Sequence, residues 1–190
     1  MAGFLSISCG GRTNYTEDNI AWVTDAPYID VGETADIGNA SQGAYGSYLH
    51  HLRLFPKPLN KSCYQLPVSP NVPYLLRLWF AVGNYDGFTE LPSFSFSIET
   101  PGLLAVVQVT TGDLDGYYKE RIFVSSGTVL CVCLIRTSES DDPFISAIEL
   151  RTFQDGMYGE VKPGTMSWPG TYDVGGESPI RYEIYTFTIS

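Results

Sequence analysis

Ser93-Phe94-Ser95-Phe96-Ser97-Ile98 alternates serine with a large apolar residue over six positions. Successive side chains of an extended strand point to opposite faces, so the pattern buries Phe94, Phe96 and Ile98 together and turns the serines away, whereas a helix would scatter them. The same period of two runs from Tyr74 to Val82, where Tyr74, Leu76, Leu78, Phe80 and Val82 share one face before Gly83 ends the run. Shorter strand-like segments surround these two: 4–9, 50–55, 63–67, 103–110, 121–124, 128–136, 144–151 and 180–189. No stretch carries the apolar spacing of a four-turn helix. Together with 19 Gly and 12 Pro to make the turns, these strands predict an all-β chain folded as an antiparallel two-sheet β-sandwich with long loops.

Loops at the ends of a sandwich carry its function, because the strands hold them rigidly from below. Asn84-Tyr85-Asp86-Gly87 follows the central strand and places a ring and hydrogen-bonding groups on a turn. Residues 14–36 read as one long loop pinned by Trp22 and Val23, which adds Tyr15, Trp22, Asp25 and Tyr28 as possible ligand contacts. Beyond Phe153 the composition becomes rich in Gly and Pro. The sequence therefore divides into a sandwich domain at 1–153 and a linker with a further strand at 154–190.

The formal charge of -10 argues against a nucleic-acid partner, since no basic patch exists to displace counterions from phosphates. No apolar run reaches the length of a membrane span, so no membrane insertion by this chain is expected. Three sequons, at Asn14, Asn39 and Asn60, favour a secreted glycoprotein. The four cysteines, Cys9, Cys63, Cys131 and Cys133, are disulfide candidates. Cys131 and Cys133 lie two apart on one strand and are poorly placed to bridge each other, so each would reach Cys9 or Cys63 more naturally. Buried free thiols remain the alternative.

Catalysis needs an activated nucleophile, a paired acid and base, or a metal. His50 and His51 are the only histidines, and adjacent residues of a strand face opposite ways, so they cannot chelate one ion. No spacing singles out a carboxylate pair among Asp25, Asp86 and Asp141. The Asp113-x-Asp115-Gly116 fragment lacks the remaining ligands of a calcium loop. Neither an enzyme nor a cofactor or metal is expected. Loops rich in Tyr, Asn, Asp and Gly suit recognition of a sugar, through stacking and hydroxyl hydrogen bonds, or of a protein through tyrosine anchors.

Several blocks resemble plant malectin-like domains. Phe4-Leu5-Ser6-Ile7-Ser8-Cys9-Gly10-Gly11 and Trp22-Val23-Thr24-Asp25-Ala26-Pro27-Tyr28-Ile29-Asp30-Val31-Gly32-Glu33 are similar to the family's opening. Leu52-Arg53-Leu54-Phe55-Pro56, Cys63-Tyr64-Gln65-Leu66-Pro67, the 74–87 strand and turn, Cys133-Leu134-Ile135-Arg136-Thr137 and the 143–151 strand follow in the family's order. Ser8 stands where the family usually has Asp, and Cys131 is an extra cysteine. Tyr172-Asp173-Val174-Gly175-Gly176 resembles the start of a second such domain.

The resemblance implies a jelly-roll, lectin-like sandwich in the ectodomain of a plant receptor-like kinase. It implies an extracellular, plasma-membrane-associated module in cell-wall signalling that binds an oligosaccharide or a secreted peptide, with a possible co-receptor protein. Leucine-rich repeats, transmembrane helix and kinase would then belong to parts of a parent that this chain lacks. Rough alignment with the animal lectin of the family assigns ligand contact to Asn84 and Tyr85, to Asp141 or Asp142, and to Tyr45 and Tyr48, and Asp86 joins them as part of the same turn. Asn84 stands where the animal protein has a second ring.

Overall fold

A computed structural model describes residues 4–38, 45–81, 92–109, 117–153 and 166–167. The described residues hold fourteen strands: β1 (Phe4–Ser8), β2 (Tyr15–Glu17), β3 (Ile20–Thr24), β4 (Glu33–Asp36), β5 (His51–Leu54), β6 (Lys61–Pro67), β7 (Pro73–Phe80), β8 (Phe94–Thr100), β9 (Leu103–Val109), β10 (Tyr117–Val124), β11 (Val129–Arg136), β12 (Phe144–Ile145), β13 (Ala147–Thr152) and β14 (Met166–Ser167). One 3-10 turn, Ser47–Leu49, is the only helical element among the described residues.

The strands form a seven-stranded sheet in the order β14-β10-β7-β13-β1-β3-β2, a four-stranded sheet β6-β11-β8-β9, and a three-stranded sheet β12-β5-β4. Pairing is antiparallel except between β1 and β3. Alternation decides what each strand buries. Tyr74, Leu76, Leu78 and Phe80 of β7 lie in one core with Ile148 and Leu150 of β13. That core also takes Phe94, Phe96 and Ile98 of β8 and Leu130, Val132 and Leu134 of β11, from the opposing sheet. A buried aromatic or aliphatic side chain of this size contributes about 1.5–3 kcal/mol, so the period of two is itself the main stabilising term.

The 14–36 segment differs from the loop expected from sequence. It holds β2, β3 and β4, and the turn between β2 and β3 places Asp18 and Asn19 at φ 51° and 61°. Two consecutive left-handed residues make the tight hairpin turn whose twist matches its strands, and Asp and Asn tolerate that conformation best after Gly. The 144–151 strand also differs, because it is broken at Ser146. There the chain leaves β5, the partner of β12, and joins β7 and β1 as β13. In the segment read as a linker, Met166–Ser167 pairs with Ile122 and Phe123 of β10.

The outward face of the seven-stranded sheet is a charged ladder. Arg77 Nε donates to Glu120 at 2.6 Å, Trp79 Nε1 to Glu149 at 2.6 Å, and Arg151 to the other Glu149 oxygen at 2.8 Å. These residues are directly opposed in register, Glu120 to Arg77 and Arg77 to Glu149, so opposite charges alternate across three strands. All four charged groups are buried. Burial pulls Arg151 down to about 10, with Arg77 pushing the same way and Glu149 opposing.

Candidate functional site at the end of the sandwich

The central strand β7 delivers the chain to one end of the sandwich. Ala81 N donates to Ser146 Oγ at 2.9 Å, and the chain returns at Ser93, whose N–H donates to Asp141 Oδ2 at 3.0 Å. Ser93 also accepts from the Thr137 hydroxyl at 3.2 Å. Between these supports Phe80, Phe94 and Phe144 meet with ring centroids 5.6–6.1 Å apart. Asn84, Tyr85 and Asp86 fall in the span between Ala81 and Ser93 and lie outside the described residues.

Asp141 and Asp142 are placed at this end, and both are engaged in holding their own loop. Besides Ser93 N, Asp141 accepts from Ser140 Oγ at 2.9 Å. Asp142 accepts from Arg136 at 2.7 Å. The same guanidinium donates to the carbonyls of Asp141 at 2.6 Å, Phe55 at 2.7 Å and Leu59 at 3.3 Å. Arg136 is almost fully covered, at 4% side-chain exposure against 39% for Asp142. A planar fork with five donors is suited to tying several acceptors at once, and here it fixes 136–142 against the β5–β6 connection.

Tyr48 approaches the same end from the outer side of the seven-stranded sheet. Its ring stacks on Trp22 at 4.5 Å and meets Trp79 edge-on at 5.6 Å. With Ile20, Leu49, Ala81 and Ala147 these rings form a second small core, against which Tyr15 and Tyr45 are partly buried. Tyr48 is 4% exposed, so its faces are spent on packing, while Tyr45 keeps intermediate exposure. The segment is tied down by Ser47 N, which donates to Glu17 Oε1 at 3.1 Å. Trp22 Nε1, Ser8 Oγ and the second Glu17 oxygen are buried without a hydrogen-bond partner among the described residues.

Asp25, read as a possible ligand contact, is instead the centre of a buried knot. It accepts from Arg53 at 2.6 and 2.8 Å, from Tyr64 OH at 3.0 Å and from Gly10 N at 3.0 Å. Gly10 sits at φ +73° with Leu52 O 2.2 Å from where a Cβ would be, so no other residue fits. Burial pushes the Cys9 thiol well up, and the Asp25 charge adds to it. Tyr64 is raised for the same first reason, burial, with Cys9 and Asp25 adding. The blocks around Gly10, Asp25, Arg53 and Tyr64, which carry the family resemblance, thus converge on one support beneath the loops.

Of the four cysteines, Cys63 and Cys133 form a disulfide, while Cys9 is a buried thiol and Cys131 a half-buried one. The bridge joins directly opposed residues of β6 and β11. Asn14 and Asn60 are exposed, whereas Asn39 lies outside the described residues. His50 Nε2 meets Tyr45 O at 3.0 Å, and His51 Nδ1 meets Asp36 at 2.6 Å. No group of three or more His, Cys, Asp or Glu able to hold a metal occurs among the described residues, and no described helix is long and apolar enough to cross a membrane.

The profile of the Malectin-like domain family matches residues 7–184. The leucine-rich repeat receptor-like serine/threonine-protein kinase At2g14510 of Arabidopsis thaliana is 33% identical over 186 residues, covering 95% of this chain and 21% of its own length. A second Arabidopsis thaliana protein, the probable LRR receptor-like serine/threonine-protein kinase At1g51860, is 33% identical over 189 residues, covering 96% of this chain and 21% of its own. The chain thus spans about a fifth of these relatives. Among solved structures, the ANXUR2 extracellular domain from Arabidopsis thaliana superposes with a TM-score of 0.64 at 19% identity, over 80% of this chain and 42% of that one. FER, in a complex described as plant peptide RALF23 with FER and LLG2, superposes with a TM-score of 0.58 at 18% identity, over 80% and 40%.

Proposed function

The chain belongs to the malectin-like domain family, whose fold is a non-catalytic recognition module, and from that premise we propose that it serves as an extracellular recognition domain of a receptor-like kinase, reading a secreted peptide or partner ectodomain at the loop end described above. The kinase part of the relatives lies outside the stretch they share with this chain.

One observation carries the choice of a protein ligand over a sugar. Asp141, Asp142 and Tyr48, the described groups best suited by type to hold a sugar, are already committed to their own loops and to the second core. A lectin site needs carboxylate oxygens and ring faces open to hydroxyls and to the flat side of a pyranose. A peptide or protein surface needs rigidly presented loops with a few anchors, which the Arg136 tie and the half-exposed Tyr45 offer. The solved complex of FER with a plant peptide supports this reading by analogy of fold.

Carbohydrate recognition is the second reading, favoured by Trp22 Nε1, Ser8 Oγ and a Glu17 oxygen, which have no hydrogen-bond partner among the described residues and lie about an aromatic stack. The test is binding of the purified domain to two panels, secreted peptides with partner ectodomains and cell-wall oligosaccharides. Binding confined to the first panel, and weakened at least about tenfold by Tyr45→Ala or Tyr85→Ala, is the expected result. Calorimetric binding of an oligosaccharide that Tyr85→Ala abolishes would replace it with the second reading.

A further inference from the structure

The sequon Asn60-Lys61-Ser62 lies where the β5–β6 connection becomes β6. Alternation along β6 turns Ser62 inward with Tyr64 and Leu66, opposite Leu134 of β11, and leaves it 3% exposed. Its hydroxyl has no hydrogen-bond partner among the described residues. Ser6, Ser97, Ser125 and Ser146 are buried likewise, and each of their hydroxyls is engaged in a hydrogen bond. A hydroxyl stripped of water with nothing in exchange destabilises a fold, and an apolar residue would suit this inward position better. The folded domain thus gains nothing from Ser62 Oγ.

The unfolded chain does have a use for it. In Asn-x-Ser/Thr this hydroxyl is the group by which an oligosaccharyl transferase recognises its acceptor. Asn60 itself is exposed, and it is its backbone carbonyl that accepts from Arg136 N at 2.9 Å. We infer that Asn60 accepts an N-linked glycan, and only while β6 is still unpaired. In that step Asn60 Nδ2 bonds to the anomeric carbon of an oligosaccharide carried on a polyprenyl diphosphate. The bond from that carbon to the phosphate oxygen breaks, the lipid diphosphate leaves with the electron pair, and Nδ2 gives up one proton to a base of the transferase. The inference rests on the extracellular reading, because the lipid-linked donor belongs to the secretory route.

Two events close the site. Pairing of 61–67 with 129–135 buries Ser62, and the Cys63–Cys133 disulfide beside it locks that register. Asn14-Tyr15-Thr16 is the internal contrast, on the outer strand of the seven-stranded sheet. Asn14 and Thr16 are both exposed, and Asn14 accepts from Thr24 N at 2.9 Å through Oδ1, an oxygen that a glycan on Nδ2 leaves in place. Folding therefore hides the hydroxyl of one sequon and leaves that of the other open. The Asn60 glycan stands at the loop end, since Arg136, which ties down 136–142, is bonded to the same residue.

The full chain, translated behind a secretory leader into rough microsomes, tests this, with occupancy of each sequon read by peptide mass spectrometry. A glycan is expected at Asn60, and Ser62→Ala should remove it with Asn60 itself untouched and Asn14 still modified. Chain that has folded and oxidised before it meets the transferase and its donor should carry at least about tenfold less glycan at Asn60 than chain kept reduced during translation, while Asn14 should differ far less. Without glycan, Ser62→Ala should melt no lower than the parent, a readout that a structural role for the hydroxyl would move. Asn60 left bare in chains that carry a glycan at Asn14, equal Asn60 occupancy in folded and reduced chains, or a Ser62→Ala protein that melts clearly below the parent would each overturn the inference. Glycans at both sites in microsomes but at neither in protein from its own tissue would instead overturn the extracellular reading and leave the site standing.

Discussion

Asp25 holds three donors from three different segments, and the strength of that arrangement lies in what its loss would leave behind. Arg53 is 12% exposed and would remain charged and unmatched. Breaking such a pair from one side typically costs about 3–5 kcal/mol, mostly the penalty of the abandoned charge. Asp25→Ala should therefore lose most of the domain's stability in urea unfolding, far more than a loop substitution would. The neighbouring Cys9 and Tyr64 make a separate prediction. Both are acids whose neutral forms the fold favours, with ordinary values of 9.0 and 10.0 raised by burial. Their contribution is complete below about pH 9, and it is lost as pH rises further, because only the unfolded chain releases these protons. Denaturation midpoints should fall with increasing steepness above pH 9. Cys9→Ala should flatten the slope in its first part whatever it does to the midpoint at pH 7.

Strands whose one face is buried were legible from alternation, and β7 and β8 fall where that pattern places them, while β9 and β11 fall on runs rich in strand-forming residues. The hairpin of β2 and β3 was not, because Tyr15-Thr16-Glu17 is polar and only the Asp18-Asn19 pair marks the turn. Ser95 and Ser97 face away from the core as read, yet they are 8% and 0% exposed, covered by neighbours that alternation cannot see. The cross-strand bridge was open among several pairings until register set Cys63 opposite Cys133. That bridge closes 70 residues of chain, and cross-linking a loop of this length is worth about 4 kcal/mol in the chain-entropy account. Reduction should lower the unfolding midpoint correspondingly. Under native, non-reducing conditions an aromatic disulfide reagent should titrate Cys131 readily and reach Cys9 only after denaturation.

For the molecule as a whole, residue types indicated recognition without naming a ligand. Asp141 and Tyr48, two of the residues named from sequence, lie near the end of the sandwich to which β7 leads. Their engagement could not be read, because it depends on Arg136, Trp22 and Glu17, partners distant in sequence or unremarkable in pattern. The position of β1 has one further consequence. It lies inside the seven-stranded sheet, between β13 and β3, so a strand made well over a hundred residues earlier takes one of its two partners from residues 147–152. At about 5–20 residues per second, Ile7 waits on the order of ten seconds or more for Ile148 to appear. A nascent chain cannot complete this sheet piecemeal, so its apolar strands need shelter from one another until nearly the whole sandwich has emerged.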